Sequence, residues 1–553
     1  MRQAYRQPNA NCYRLTNGIR VTLQAEAGLA ICAYPLRIVR VSSTAARLLQ
    51  CCQDEHTCEE LAAHLQLPRQ RVQTLCTQLC AKGLLEAGPI LPPATWPHVS
   101  IIIPTHNRAN QLERCLRSLC TLQYPTASLE ILIVDDASTD ETTSMLQRFT
   151  KETTLPIRVL SHTTQQGVAI CRNSGAEAAH SPLLAYIDSD CVASPMWLKD
   201  LVPVFQHAHV AAVGGMIRAY ERESMLGRYE DVRSSLFMGN RPQQVSLSGP
   251  LQYLPTANFL VRRELWQQLG GFAPLSFGED VDFCRRLLAH NAHILYVPHG
   301  IVYHDYRTQL PAFLRIRTSY ASAEAALLQR HPEERRVLLL PPEQASFAAL
   351  VVGGLWGCVM AYIGSRFIPR PPHPRVPARG TPTMDDEALV NSRGTLYGYP
   401  AAGGWARMIS LFSLTTAFLL SLWGAWRRWQ RVRQQRIPIG PLAVLRATIR
   451  GHLAYTYHLA RHLTRYYTLP LLLVGIVLPP LLVLALMLMS IVIGVDYVRL
   501  RPDMRLGEYA WCAVLDDCAY EVGVVRGCIQ HRTWKPLWPI IRRKLPIPAD
   551  SSH

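Results

Sequence analysis

The chain has 553 residues, room for two or three domains with a sizeable core, and a formal net charge of +17 carried far more by Arg than by Lys. That balance admits nucleic acid, an anionic membrane face or anionic substrates as partners; basic clusters such as 427–433 lie directly after apolar runs, which favours the membrane. The 16 cysteines include no Cys-x-x-Cys pair and no zinc-ribbon spacing, which argues against a structural zinc and predicts buried, reduced thiols.

The first thirty residues lack a charged stretch followed by an apolar one, so the N-terminal half is expected to stay in the cytoplasm. Residues 1–88 read as a first domain: β-like runs at 19–23, 29–33 and 36–41 precede three helical patterns. Ser43 is expected to cap the first helix, Thr57 with Glu60 forms a capping box for the second, and Pro68 suits the first turn of the third. Val72, Leu75 and Leu79 mark an apolar face that Gly83 closes. This order resembles the PqqD-like winged-helix modules that bind peptide precursors in peptide-derived cofactor pathways. Arg69, Arg71 and Lys82 are too few phosphate neutralisers for a DNA-binding winged helix, so no nucleic acid partner is expected. A purely structural docking domain is the plainer alternative.

A Pro-rich linker, 89–98, leads into an α/β pattern over 99–340. Strands at 99–103, 129–134, 158–161 and 183–187 alternate with helices from Gln111, Thr139 and Val168, which predicts a parallel, doubly wound sheet with ligands beyond its strand ends. The region 341–553 is expected to be helical and membrane-associated: apolar stretches at about 346–365, 408–426 and 469–495 are long enough to span a bilayer. Pro479-Pro480 makes the third a kinked span or a re-entrant hairpin, 450–467 suits an interfacial helix, and 366–405 reads as a Pro-rich insert. His458 and His462 stand four apart without a carboxylate partner and are taken as interface residues rather than metal ligands.

The chemistry gathers at strand ends. The first strand finishes with Pro104, Thr105, His106 and Asn107, small polar groups suited to gripping a base and ribose. The next ends in Asp135 and Asp136, where a carboxylate can accept a uracil imide N–H. Arg172, in a helix opening at Gly167, can meet a nucleotide. Asp188-Ser189-Asp190 follows a buried strand and makes a hard-oxygen site for Mg²⁺ or Mn²⁺ with a diphosphate. Gly278-Glu279-Asp280-Val281-Asp282 opens a later helix, and Asp280 there can take a proton from an acceptor hydroxyl. Each motif alone also reads as solvated turn or helix cap; the ordered set is the signal.

In this order the motifs, over roughly 99–310, resemble the family 2 glycosyltransferases. The resemblance implies a GT-A fold, a nucleotide-sugar donor, a divalent cation and inversion at the anomeric carbon. It places Asp136, with Asp135, at the base, Asp188 near ribose or sugar, Asp190 on the metal with Asp188 and His304 as further metal contacts, Glu279 among the donor contacts and Asp280 as catalytic base. Further strings are similar to the mycofactocin-system glycosyltransferases: Arg228-Tyr229-Glu230, His304-Asp305-Tyr306-Arg307, Arg330-His331-Pro332, Asp516-Asp517-Cys518-Ala519-Tyr520 and Gly523-Val524-Val525-Arg526. That resemblance implies hexose transfer, β-1,4-linked glucose from UDP-glucose or a related UDP-hexose, onto premycofactocin, a peptide-derived small molecule, at the cytoplasmic face of the inner membrane. The insert 366–405 departs from the compact family pattern. A lipid or cell-wall acceptor is the alternative; a processive polysaccharide synthase would carry Gln-x-x-Arg-Trp, which 283–346 lacks. A degenerate sensor would have lost a metal or base acid, and Asp188, Asp190 and Asp280 are all present.

Overall fold

A computed structural model describes residues 12–23, 27–33, 36–88, 93, 95–207, 210–247, 251–367, 402–435, 437 and 439–543. Residues 89–92 and 94 of the linker, and 368–401 of the insert, lie outside them. The chain forms two compact units, Met1–Arg335 with Arg499–Leu537, and Arg336–Val498 with Trp538–His553.

At the N-terminus an antiparallel sheet, Ile19–Leu23, Ala27–Ala33 and Leu36–Ser42, precedes the helices Ser43–Cys51, Cys58–Leu65 and Arg69–Ala81. Ser42, one residue before the expected cap, closes the first helix: its backbone is still extended, and its Oγ accepts the Ala45 N–H at 3.2 Å. The capping box forms as expected, Glu60 N–H to Thr57 Oγ1 at 3.2 Å and Thr57 N–H to Glu60 Oε2 at 2.8 Å. Val72 and Leu79 turn into the core with Leu48, Leu49 and Leu61. The cysteines are free thiols throughout the described residues.

The larger domain is built on an eight-stranded sheet in the order Gln243–Gln244, His293–Tyr296, Val210–Gly214, Phe259–Arg262, Leu183–Tyr186, Val99–Thr105, Leu129–Asp135, Ile157–Ser161. The four strands read from the sequence at this end run parallel. Phe259–Arg262 runs antiparallel to both its neighbours, so the sheet is mixed rather than parallel throughout. An apolar run does not encode strand direction; the connection does, and Phe259–Arg262 returns from a long excursion instead of a helical crossover. One face packs Leu112, Leu116, Leu146 and Phe149 against Ile101, Ile103 and Ile131; the other packs Ala169, Ala176, Phe272 and Phe283 against Ile102 and Leu132. Two buried faces explain the nearly unbroken apolar strands. A second, three-stranded sheet joins Cys191–Ala193, Val302–His304 and Ile217–Ala219.

The second unit holds three helices long and apolar enough to cross a membrane: Pro342–Tyr362, Arg407–Gln434 and Pro479–Leu500, with mean hydropathies of 1.7, 1.6 and 2.5. The expected third stretch is divided. Pro441–Val477 runs through the proposed interfacial segment and ends at Leu478, whose backbone is non-helical, and Pro479 opens a new helix. Pro470 lacks the N–H that would bond the Tyr466 carbonyl, and the helix deforms just there, at Tyr467 (φ −138°).

Candidate active site

The ends of the parallel strands open into a cleft of about 670 Å³. Thr105 closes the strand Val99–Thr105, and its carbonyl accepts the Asp136 N–H at 2.9 Å, which fixes the two strand ends side by side. The Thr105 hydroxyl is buried in this cleft without a hydrogen-bond partner among the described residues, an arrangement that a ligand hydroxyl or carbonyl would complete. Asp136 is held by the loop before the helix Val168–Ala178: Gln166 N–H and Gly167 N–H reach its two oxygens at 2.8 Å each, and His162 Nδ1 lies 3.0 Å away. Burial opposes its charge, but these bonds outweigh it and hold the carboxyl below the usual range.

Arg172, 3% exposed, lies across the floor. Its guanidinium donates to Glu279 at 2.5 Å and to Asp188 at 2.6 Å, tying the helix Glu279–Ala289 to the Asp-x-Asp turn. Two neighbouring carboxylates overcome its burial and raise its pKa further. Gly278 precedes that helix at φ +83°, a backbone state that suits glycine and turns Glu279 and Asp280 into the cleft. Asp280 is half-buried, accepts only the Val281 N–H among described partners, at 2.8 Å, and has its pKa pushed up to about 8 by desolvation first and the Glu279 charge second.

Asp190 and His304 meet because Cys191 pairs with His304 in the small sheet, and Asp305 N–H bonds the Asp190 carbonyl at 2.9 Å. The Asp190 carboxylate is buried, yet His304, Arg108 and Arg307 together hold it well below the ordinary carboxylate range. Arg108 donates to it directly, and Arg307 Nη1 lies at 3.3 Å. His304 Nε2 is 3.6 Å from Asp190 Oδ1, and its buried Nδ1 has no partner among the described residues. Asp190 and His304 would hold a divalent ion here, and their hard oxygen and imidazole donors fit Mg²⁺ or Mn²⁺. Cys191 Sγ joins that cluster, whereas Asp188 is turned toward Arg172.

Of the residues read from the sequence, Pro104, Thr105, Asp136, Arg172, Asp188, Asp190, Glu279, Asp280 and His304 all line the cleft. Asn107 and Asp135 are not among the lining residues. Asn107, at φ +53°, accepts the Thr139 and Asp140 N–H groups at 2.7 and 3.2 Å, and Asp135 accepts the Ser138 N–H at 3.2 Å. Both organise the loops beside the site. Reasoning from sequence missed Arg108 and Arg307; the first directly follows the strand-end motif and the second lies inside a string already singled out.

Strand ends that bring an Asp-x-Asp turn and a helix-borne acid into one cleft are the arrangement of a GT-A glycosyltransferase. Residues 100–270 match the profile of Glycosyl transferase family 2. The chain belongs to the family 2 glycosyltransferases. It is 31% identical over 366 residues to a pre-mycofactocin glycosyltransferase of Mycobacterium tuberculosis (strain ATCC 25618 / H37Rv), covering 65% of this chain and 69% of that relative. A beta-monoglucosyldiacylglycerol synthase of Nostoc sp. is 28% identical over 196 residues, 34% of this chain and 41% of that protein. The solved mannosyltransferase PcManGT from Pyrobaculum calidifontis, in complex with GDP-Man and Mn²⁺, superimposes with a TM-score of 0.37 at 18% identity, covering 74% of this chain and 98% of that one.

Proposed function

We propose that the chain transfers a hexose, glucose from UDP-glucose or a related UDP-hexose, to premycofactocin with inversion, extending β-1,4-linked units. The observation that carries this reading is the convergence of Asp136, Asp190 and Asp280 on one cleft, together with the likeness to the mycobacterial relative. Thr105 and Asp136 take the base and ribose, with Pro104 beneath. Arg172 orients Asp188 toward the ribose or sugar and Glu279 toward the donor. Asp190 and His304 would hold the divalent cation, which supplies positive charge to the leaving diphosphate. Arg108 and Arg307, already against Asp190, extend that positive field. Asp280 removes the proton of the acceptor hydroxyl as its oxygen attacks the anomeric carbon from the side opposite UDP. One displacement inverts the centre, and no second carboxylate has to act as nucleophile. The N-terminal domain, read as PqqD-like, suits an acceptor derived from a peptide, and the three apolar helices suit an inner-membrane protein with its catalytic unit in the cytoplasm.

Those same helices, with the likeness to the Nostoc protein, favour a lipid acceptor as the second reading. Incubating the detergent-solubilised protein with UDP-glucose, Mn²⁺ and premycofactocin, then counting hexose additions by mass spectrometry, decides between them. Hexose on premycofactocin supports the first reading; hexose only on a diacylglycerol acceptor replaces it with the second.

A further inference from the structure

Asp516-Asp517-Cys518-Ala519-Tyr520 has no part in the transfer described above, yet it lies on the helix Leu506–Gln530, which belongs to the catalytic unit. That helix packs closely on Leu310–Arg330. A Cβ on Gly523 would lie 2.3 Å from the Thr318 carbonyl oxygen, and one on Gly527 2.3 Å from that of Ser322, so only glycine permits the approach. Thr318 Oγ1 donates to the Ala519 carbonyl at 3.2 Å, and Gln329 Nε2 to the His531 carbonyl at 2.7 Å. Asp516, 3% exposed, accepts the Tyr229 hydroxyl at 3.0 Å and pairs with Arg317 at 3.4 Å, and Arg317 donates to Glu230 at 2.7 Å. Removing Arg317 would strand two buried carboxylates, one on each side of the helix contact, so the cluster fixes the rotation of the helix.

Held in that rotation, Tyr520 lines the catalytic cleft and its hydroxyl donates to Glu324, another lining residue. The cleft wall is aromatic here. Tyr253 and Tyr320 line it together with Asp280, and the Phe277 and Tyr320 rings meet edge-on with centroids 5.5 Å apart. Aromatic faces with a few convergent polar groups suit a ring that carries hydroxyls.

We infer that this aromatic end is the acceptor compartment, that Tyr520 from the C-terminal helix completes it, and that it takes a compact ring-bearing acceptor, an aromatic or pyranose unit, whose hydroxyls meet Glu324 and Tyr520. The inference rests on the sugar-transfer reading of the cleft. Asp516 and Arg317 are positioning residues that act through Tyr520.

The test titrates premycofactocin and phenyl β-glucopyranoside separately into the UDP-loaded full chain in detergent, by calorimetry. At least one probe binds the wild type. Tyr520→Ala weakens it tenfold or more and Tyr520→Phe two- to fivefold, while UDP affinity stays within twofold. Trp511→Ala, on the exposed face of the same helix, changes neither value. Unchanged probe affinity in Tyr520→Ala overturns the inference, as does failure of both probes to bind the wild type. If Tyr520→Ala also loses UDP affinity, the Tyr520→Phe result decides. Probe binding without any transfer from UDP-glucose overturns the transferase reading and leaves the compartment standing.

Discussion

Asp280 makes the sharpest forecast about pH. Its carboxyl, ordinarily at 3.8, is pushed up to about 8 in the folded protein. A base must be ionised to accept a proton, so at pH 7 roughly one molecule in eleven is competent, and at pH 9 roughly ten in eleven. The rate at limiting UDP-glucose, which reports the free enzyme, should therefore rise about tenfold from pH 7 to pH 9, with a slope near one below pH 8. UDP release in a coupled assay with the acceptor also well below saturation measures it. Asp280→Asn should give a flat profile at least about a hundredfold lower. Arg172 favours the ionised form, so Arg172→Met should move the rise to higher pH. Stability runs the other way. The folded chain keeps a proton that the unfolded chain has released above pH 3.8, so this contribution is fully present below that value and is lost as pH rises through about 8. A wild-type rate that is flat or falling between pH 6 and 9 would refute the assignment of Asp280 as base.

Arg172→Met should also destabilise the catalytic unit by about 3–5 kcal/mol, because it leaves Glu279 buried without its cation. At roughly 2 °C per kcal/mol in a domain of this size, the melting temperature drops by roughly 6–10 °C, and adding Glu279→Gln recovers at least half; no recovery would sink the argument. Asp190→Ala should remove most of the strengthening that Mn²⁺ gives to UDP binding in calorimetry with and without chelator, and an unchanged Mn²⁺ effect rules out the metal role. Gly523→Val forces a side chain against the Thr318 carbonyl and should lower stability by about 1–3 kcal/mol, read as a lower melting temperature; an unaltered one would mean the two helices are not in close contact.

The strand-end wall of the candidate cleft was legible because its residues are local in sequence. Asp136 directly follows the apolar strand Leu129–Asp135, Asp188 and Asp190 sit in the turn just beyond the strand Leu183–Tyr186, and a strand end determines where such residues gather. Asp280 was legible for a similar reason, as an acid behind Gly278 at a helix start. What the chain hides is pairing across distance. Nothing near Asp190 announces that Arg307 will be brought to it from just beyond a strand more than a hundred residues later, and His304 was reached through the family resemblance alone. Likewise the antiparallel course of Phe259–Arg262 depends on its connection, not on its composition. Asn107 and Asp135 show the converse: right loops, with side chains spent on backbone N–H groups instead of facing the cleft. The division at Leu478 follows from the two prolines after it, which push the preceding residue out of the helical region, so the stretch expected as a kinked span or re-entrant hairpin is two helices.

The return of residues 499–537 to the catalytic unit sets an order of assembly. A ribosome that has made residues 99–335 has delivered every acid of the donor half, but the wall bearing Tyr520 does not yet exist. Three long apolar helices must be synthesised before that wall emerges. The acceptor wall proposed above is thus unfinished until the apolar helices have been made, and a premature stop among them would leave the strand-end acids without the helix that carries Tyr520.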